Sequence, residues 1–379
     1  YEISACLVGS EMCIRDRHIV DGVAKVNRMR CVGCGACADA CPKSIIKLIP
    51  ESQKIMPACG NMDKGAKVMK MCDFGCIGCM KCQRECPADA IKIENFVSKI
   101  DYDKCVSCGM CLVNCPFGAI VDKGQLFQLI HAIRRGDEVV AVIAPAFWGQ
   151  FGDNVTPGQI KAAMQQLGFA ALEEVAVGAD LCAVEEAEEF LRMVPEKQPF
   201  MATSCCPAWS VMAKKLFPQF KDYISMALTP MVLTARLQKQ KDPDCRICFV
   251  GPCAAKKLEA SRRTIRSDVD FVLTFEELQG LFEARNVRFE DIPPEEEVPL
   301  NEGTGAGRGF AVTGGVANAV VDVIHRLDPE REVKVACAEG LDNCKKMLLL
   351  AKAGKYDGYL LEGMGCPGGC VAGAGTVQP

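Results

Sequence analysis

At 379 residues the chain is long enough for two or three domains with sizeable cores. Its charge is mildly acidic, −4 at pH 7 with no long run of one sign, which argues against a nucleic-acid or anionic-membrane partner. The 26 cysteines are too many and too tightly grouped for the disulfide framework of a small secreted domain, so reduced thiolates holding metal are expected.

The first 17 residues, YEISACLVGSEMCIRDR, resemble an in-frame translation of a transposon-type sequencing adapter. Residues 1–17, with Cys6 and Cys13, are therefore expected to take no part in the fold. From His18 to about Asp122 the chain is dense in cysteine, with short apolar runs such as IIKLI (45–49) and AIKIE (90–94) between Cys-Pro turns. Cys31, Cys34, Cys37 and Cys41, followed by Pro42, have the C-x2-C-x2-C-x3-C-P spacing of bacterial ferredoxins. Cys76, Cys79, Cys82 and Cys86 repeat it, as do Cys105, Cys108, Cys111 and Cys115. Three closely spaced thiolates wrap one face of a 4Fe-4S cube, while the fourth ligates the neighbouring cube. Zinc would ask for two pairs instead. By that crossover, Cys76, Cys79, Cys82 and Cys115 hold one cluster, and Cys105, Cys108, Cys111 and Cys86 another. The first motif lacks a full partner. Cys41, Cys59 or Cys72 completes its cluster, or a fourth cluster is shared among them, for three or four clusters in all.

The segment CGNMDKGAKVMKMCDFGCIGCMKCQRECPADAI (59–91) resembles the polyferredoxin region of the B subunit of Rnf-type electron-transport complexes, which implies electron relay. An α+β ferredoxin-like iron–sulfur domain over 18–122 is expected.

From about Lys123 strands and helices alternate. EVVAVIAP (138–145) reads as a buried strand, and Thr156-Pro157 as the cap and first turn of the next helix. CRICFVGP (245–252), DVDFVLT (268–274) and EVKVACA (332–338) are further β-rich runs. Thr274 with Glu277 fits a capping box. Such alternation implies a parallel-sheet α/β domain over 123–379. The stretch 291–307 reads as a loop whose GTGAG is too weak a signal for a nucleotide site.

Three cysteine motifs follow short apolar strands: TSCCPAW (203–209) after PFMAT, GPCAAKKLE (251–259) after CRICFV, and EGMGCPGGC (362–370) after GYLL. Ligands in open α/β sheets bind beyond the carboxyl ends of strands, so the three loops can converge on one site. Cys182, Cys245, Cys248, Cys337 and Cys344 read as buried structural thiols.

These motifs, in this order, resemble the iron-only (FeFe-type) hydrogenase catalytic domain from about Ala144 to Pro379. The Rnf-like front end suggests a simple monomeric subclass of ferredoxin hydrogenase type. The resemblance implies two parallel-sheet lobes with the active-site cluster between them. It implies a 4Fe-4S cubane on Cys206, Cys253, Cys366 and Cys370, with Cys370 bridging to a diiron unit that carries CO, cyanide and azadithiolate. It makes Cys205 the thiol that passes protons, and Lys256 the donor to an iron-bound cyanide. Lys257 beside it reads as a solvated helix lysine. Met364 packs over the diiron unit, and Ala144, Pro145 and Ala146 line its far side. Ser225, Glu186 and Glu189 align with the family's proton route, and the two glutamates share a helical face at i, i+3. A free thiol near pKa 8.5 suits Cys205 to exchange near neutral pH.

Two positions depart from the pattern. Gly251 stands where many members have methionine, which loosens the surroundings of the site or leaves room for water. Met193 replaces an arginine at the outer end of the route, with Arg192 adjacent. A ferredoxin-like donor, hydrogenase maturation proteins, a cytoplasmic location and no membrane segment are expected, and the stop at Pro379 directly after a motif reads as a truncation. The rivals are an iron–sulfur assembly or sensory relative without the diiron unit, and a pure electron-transfer polyferredoxin.

Overall fold

The computed structural model describes residues 17–20, 23–26, 31–42, 46, 48–50, 53–262, 265, 268–293 and 303–378. The segment read as an adapter lies outside these residues apart from Arg17, which opens a strand.

The front of the chain is built from paired short strands and single-turn helices. β1 (Arg17–Val20) and β2 (Val23–Val26) pair antiparallel. β3 (Ile55–Pro57) pairs antiparallel with β6 (Ile120–Asp122), and β4 (Ile91–Glu94) with β5 (Val97–Ile100). Inside each cysteine motif one helical turn forms, at Ala36–Asp39, Lys81–Arg84 and Met110–Val113. Each turn follows a left-handed residue, Gly35, Met80 or Gly109. Ile55, Ile91 and Ile120 close over Cys82 and Cys111 as a small core, which Ala254 from the far domain completes.

Among the described residues seven further strands follow: β7 (Val139–Ile143), β8 (Ala171–Glu174), β9 (Phe200–Ala202), β10 (Arg246–Gly251), β11 (Phe271–Thr274), β12 (Lys334–Glu339) and β13 (Tyr359–Met364). They form two all-parallel sheets, ordered β11-β10-β7-β8 and β12-β13-β9. Every residue of β7 is buried, as an unbroken VVAVI run requires of a central parallel strand. The two-lobe parallel architecture behind a ferredoxin-like domain is the expected one.

Local signals set the helix starts. Thr156 and Gln159 form a reciprocal capping box on the Pro157–Leu167 helix, and Thr274 and Glu277 do so on Phe275–Ala284. The stretch read as a loop is corrected in part: Gly305–Gly309 is helical, capped by the Thr304 side chain on the Gly307 N–H. Thr304 also bonds Asp180, and Arg308 forks onto Glu174. A side chain at Gly307 would strike the Ala176 carbonyl at 2.4 Å, so the glycine allows this turn to dock on the Ala176–Met193 helix. Cys337 is a second correction. It is exposed, because β12 is the edge strand of its sheet.

The Ala176–Met193 helix also lies close against Pro230–Lys241. A Cβ at Gly178 would fall 2.3 Å from Thr234 Oγ1 and 2.4 Å from the Pro230 carbonyl oxygen. The carbonyl cannot rotate away, so Gly178→Ala should destabilise the fold by about 1–3 kcal/mol. A lower denaturant midpoint at unchanged slope checks this. Among the described residues no helix is long and apolar enough to cross a membrane.

Candidate active site

Parallel strands end on the same side, and three of these ends carry the cysteine motifs. β9 leads into Cys205 and Cys206, β10 into Cys253, and β13 into Cys366 and Cys370. Cys206 sits at the N-cap of the Pro207–Leu216 helix, with Pro207 in its first turn, and Cys253 at the N-cap of Ala254–Ala260. The Gly365 N–H donates to Cys206 Sγ at 3.3 Å. Fully buried Trp209 donates its indole N–H to the Thr203 carbonyl at 3.0 Å, and its ring lies where a Cβ at Gly363 would be, 2.2 Å away.

The loops enclose a cavity of about 70 Å³ between the two sheets. Cys205, Cys206, Cys253 and Cys370 line it, with Lys256 and Met364. Ala144, Pro145 and Ala146 line it as well. Burial pushes the Cys253 thiol up to about 11, and the neighbouring Cys206 adds to the rise. Cys366 and Cys370 are also raised by burial first, then by the charges of the other thiols. Four thiolates can share such a space only with positive charge among them. Among the described residues no three donors close onto a point as a lone ion demands. Cys206, Cys253 and Cys370 line the cavity, and Cys366 lies outside its lining but close enough to feel all three, which suits a cluster.

Lys256 Nζ donates to Glu259 Oε2 at 2.7 Å and to the Cys205 carbonyl at 3.2 Å. Burial alone would lower this ammonium group, but the Glu259 carboxylate outweighs it, so the net shift is upward. Two of its three donors are thus used inside the protein. Glu259, itself buried, also accepts from Thr229 Oγ1 at 2.7 Å. Neither Glu259 nor Thr229 was singled out from the sequence; the only signal was the i, i+3 spacing of Lys256 and Glu259. Lys257, expected in solvent, is instead buried and bonds Asp122 Oδ2 at 2.5 Å and Glu277 Oε2 at 2.7 Å.

Two expectations about the cavity wall change. Burial, reinforced by Glu186 and Cys182, raises the Cys205 thiol well above its ordinary range, so it rests protonated and is not poised near neutral pH as a free thiol would be. At Gly251 no space opens. A Cβ there would meet the Phe249 ring at 2.7 Å and Ala144 Cβ at 3.0 Å, and Phe249 also lines the cavity.

Glu186 is fully buried while its neighbours Glu185 and Glu188 are exposed. Its Oε1 accepts from the Ser204 N–H at 3.0 Å and from Ser204 Oγ at 3.3 Å, and its Oε2 has no partner. Burial raises Glu186 to about 7, with Glu189 adding and the Ser204 N–H opposing. Ser225 Oγ donates to Glu189 Oε2 at 2.6 Å, and the Met226 N–H donates to the same oxygen at 3.2 Å. Glu189 is half-buried and Met226 is 75% exposed, so this line of groups reaches the surface. Met193 packs against the apolar core, while Arg192 is exposed. Cys182, Cys245, Cys248 and Cys344 are fully buried, and the Cys344 thiol donates to the Ala338 and Met364 carbonyls.

In the front domain, Cys86, Cys105, Cys108 and Cys111 line one cavity of about 20 Å³. Cys76, Cys79, Cys82 and Cys115 line another of the same size, where Cys82 Sγ donates to buried Ser98 Oγ at 3.7 Å. Cys31, Cys34 and Cys72 are exposed, and Cys37, Cys41 and Cys59 half-buried.

The profile of the iron only hydrogenase large subunit, C-terminal domain, matches residues 137–374, and that of a 4Fe-4S dicluster domain matches 30–90 and 75–119. The NADP-reducing hydrogenase subunit HndD of Solidesulfovibrio fructosivorans is 31% identical over 72% of this chain, which spans only 55% of that relative. The periplasmic [Fe] hydrogenase large subunit of Nitratidesulfovibrio vulgaris is 30% identical over 74% of this chain and 86% of its own. A component of the Na(+)-translocating ferredoxin:NAD(+) oxidoreductase complex of Acetobacterium woodii, its B subunit, is 48% identical over 26% of this chain and 30% of its own. Protein NAR1 of Arabidopsis thaliana is 24% identical over 74% of each chain. A solved structure of HydA(deltaEFG), described as revealing stepwise [FeFe]-hydrogenase H-cluster assembly, is 25% identical at a TM-score of 0.56, covering 67% of this chain and 84% of that one. With its three cysteine loops converging between two parallel sheets, the chain belongs to the iron only hydrogenase large subunit family.

Proposed function

We propose that this protein is the iron–sulfur-wired catalytic part of an FeFe hydrogenase of ferredoxin hydrogenase type, interconverting protons and dihydrogen. One observation supports the reading: buried Glu186, raised to about 7, lies close enough to feel Glu189, which Ser225 bonds, and to act on Cys205, a cavity-wall cysteine outside the cubane ligand set.

Cys206, Cys253, Cys366 and Cys370 would hold a 4Fe-4S cubane. When bound, the cubane and its diiron unit with CO, cyanide and azadithiolate supply the electrons and the site at which protons are reduced. The remaining steps belong to the chain. Lys256, fixed by Glu259, keeps one N–H for the cavity and offers a charge-assisted bond to a cyanide there. Met364, Ala144, Pro145 and Ala146 keep water off that space. Cys205 holds a proton at its Sγ because burial denies it the thiolate form. Glu186 replenishes it, and Ser225 and Glu189 connect Glu186 to solvent. In residues 18–122, Cys76, Cys79, Cys82 and Cys115 would hold one cluster and Cys86, Cys105, Cys108 and Cys111 another, which would supply the electron relay. A further cluster on Cys31, Cys34 and Cys37 would be completed by Cys41, Cys59 or Cys72, or a fourth cluster would be shared among them. A ferredoxin-like donor, dedicated maturation enzymes, a monomeric state and a cytoplasmic location belong to the same proposal.

An assembly-factor role without the diiron unit is the second reading, favoured by the likeness to a probable cytosolic Fe-S cluster assembly factor of Drosophila mojavensis. It leaves Lys256, Cys205 and the buried Glu186 without work. Infrared spectroscopy separates the two. Protein made without maturation enzymes should hold cubanes only, and anaerobic maturation should add bands of metal-bound CO and cyanide. Repeated absence of those bands in matured, cubane-loaded protein would establish the assembly-type reading.

A further inference from the structure

We propose that Lys257 is the positioning residue of the electron handover, a buried cation that clamps the relay domain onto the catalytic domain so that the Cys86–Cys111 cavity stays against Cys366. This rests on the iron–sulfur ligand assignment above, but not on hydrogen chemistry.

The two domains meet along a tight seam. At Gly109, with φ of 89°, a Cβ would strike Ala374 Cβ at 2.3 Å and lie 3.6 Å from Ala254 Cβ, so the relay loop touches the catalytic backbone. Lys215 Nζ donates to the carbonyls of Asp103 and Cys105 at 2.8 and 2.9 Å. Val106 is buried in the same core as Trp209 and Ala255. Cys108 lies near enough for its charge to raise Cys366. Gly109, Val106 and Cys108, which line the relay cavity, thus lie against the catalytic domain close to Cys366.

Lys257 holds the flank of this seam. Its side chain is 1% exposed, on the helix that begins after Cys253. On one side it binds Asp122, the last residue of β6. On the other it binds Glu277, whose carboxylate also closes the capping box on the Thr274 N–H. The linking chain is close as well: a Cβ at Gly124 would be 2.6 Å from Glu277 Oε1. Glu276 feels both Asp122 and Glu277, so three carboxylates gather around this ammonium group. Without Lys257, Asp122 would face Glu276 and Glu277 across the seam without the ammonium group that now lies between Asp122 and Glu277. Like charges at short range would then push the domains apart.

The test uses the full chain made without maturation enzymes and loaded with 4Fe-4S clusters. The readout is the magnetic interaction between the reduced relay cluster and the reduced active-site cubane, which weakens steeply with separation. Lys257→Met should keep the iron content yet lower the closed-to-open ratio of the seam by at least about tenfold, seen as a weakened interaction. Lys257→Arg should retain it. Lys257→Met with Asp122→Asn should recover part of it, because the cross-seam repulsion is gone. Raising salt should partly restore Lys257→Met by screening. If Lys257→Met does not accumulate, Asp122→Ala, at a position 22% exposed, should weaken the interaction in the same direction. An unchanged interaction in Lys257→Met or Asp122→Ala overturns the proposal. So does a loss that Asp122→Asn and salt both fail to relieve. Missing CO and cyanide bands would defeat the hydrogenase reading and leave this result standing.

Discussion

Cys205→Ala should leave the iron content and cluster spectra intact while turnover falls roughly 10²–10⁴-fold, the usual contribution of a positioned acid–base group. The cysteine lines the cavity beside Lys256, and its thiol is held protonated by burial. Alanine removes the proton carrier without opening a thiolate position. Its neighbour Cys206 should behave in the opposite way. That sulfur sits at a helix N-cap, accepts from the Gly365 N–H and faces Cys253 and Cys370. Cys206→Ser replaces a soft thiolate by a poor, hard donor, so iron should be lost. Cys205→Asp should recover part of the rate, since a carboxyl also carries a proton. Iron analysis and turnover measured on the three variants decide the matter. If Cys205→Ala strips iron while Cys206→Ser keeps it, the two roles are reversed; full activity in Cys205→Ala would remove this thiol from the proton route.

Glu186→Gln should cost a comparable roughly 10²–10⁴-fold in turnover, because glutamine keeps the shape and the Ser204 contact but cannot pass a proton. The same change carries a stability signature with a defined sign. Burial raises this carboxyl from 4.5 to about 7, so the folded state keeps a proton that the unfolded chain releases. The stability this proton contributes is complete below about pH 4.5 and lost as pH rises through about 7. Relative to Glu186→Gln, the parent should therefore lose on the order of 3 kcal/mol across that window and level off above it. Denaturant midpoints of both proteins between pH 4.5 and 8 provide the measurement. Parallel midpoints would show that Glu186 is not a buried acid, and undiminished turnover would break the route at its inner end.

The parts of the site that were legible from the amino-acid order are those whose information is local. A C-x2-C spacing places thiols within one turn of chain, so the motifs could be recognised without knowing what lies opposite. The capping boxes at Thr156 and Thr274 act over three residues, and both form as read. Runs such as VVAVI can only be buried strands, and their alternation with helices implies parallel sheets and a site at their carboxyl ends.

The rest depended on partners far away in sequence. Lys256 and Lys257 are adjacent and chemically identical, yet one reaches the cavity and the other spans 135 residues to Asp122. Helical geometry points successive side chains about 100° apart, and only the packed neighbours decide what each direction meets. The same holds for Gly251, where the Phe249 ring fills the space that composition alone left open. It holds for Cys337, exposed because no strand covers the edge beyond β12 among the described residues. Glu186 and Glu188 differ by two positions in one helix, but only Glu186 turns inward, and its burial sets its proton affinity. Amino-acid order thus determined which chemistry the chain can hold and on which side of its sheets. Tertiary structure alone decided which charges lose their water, because desolvation is a property of the surroundings and not of the residue.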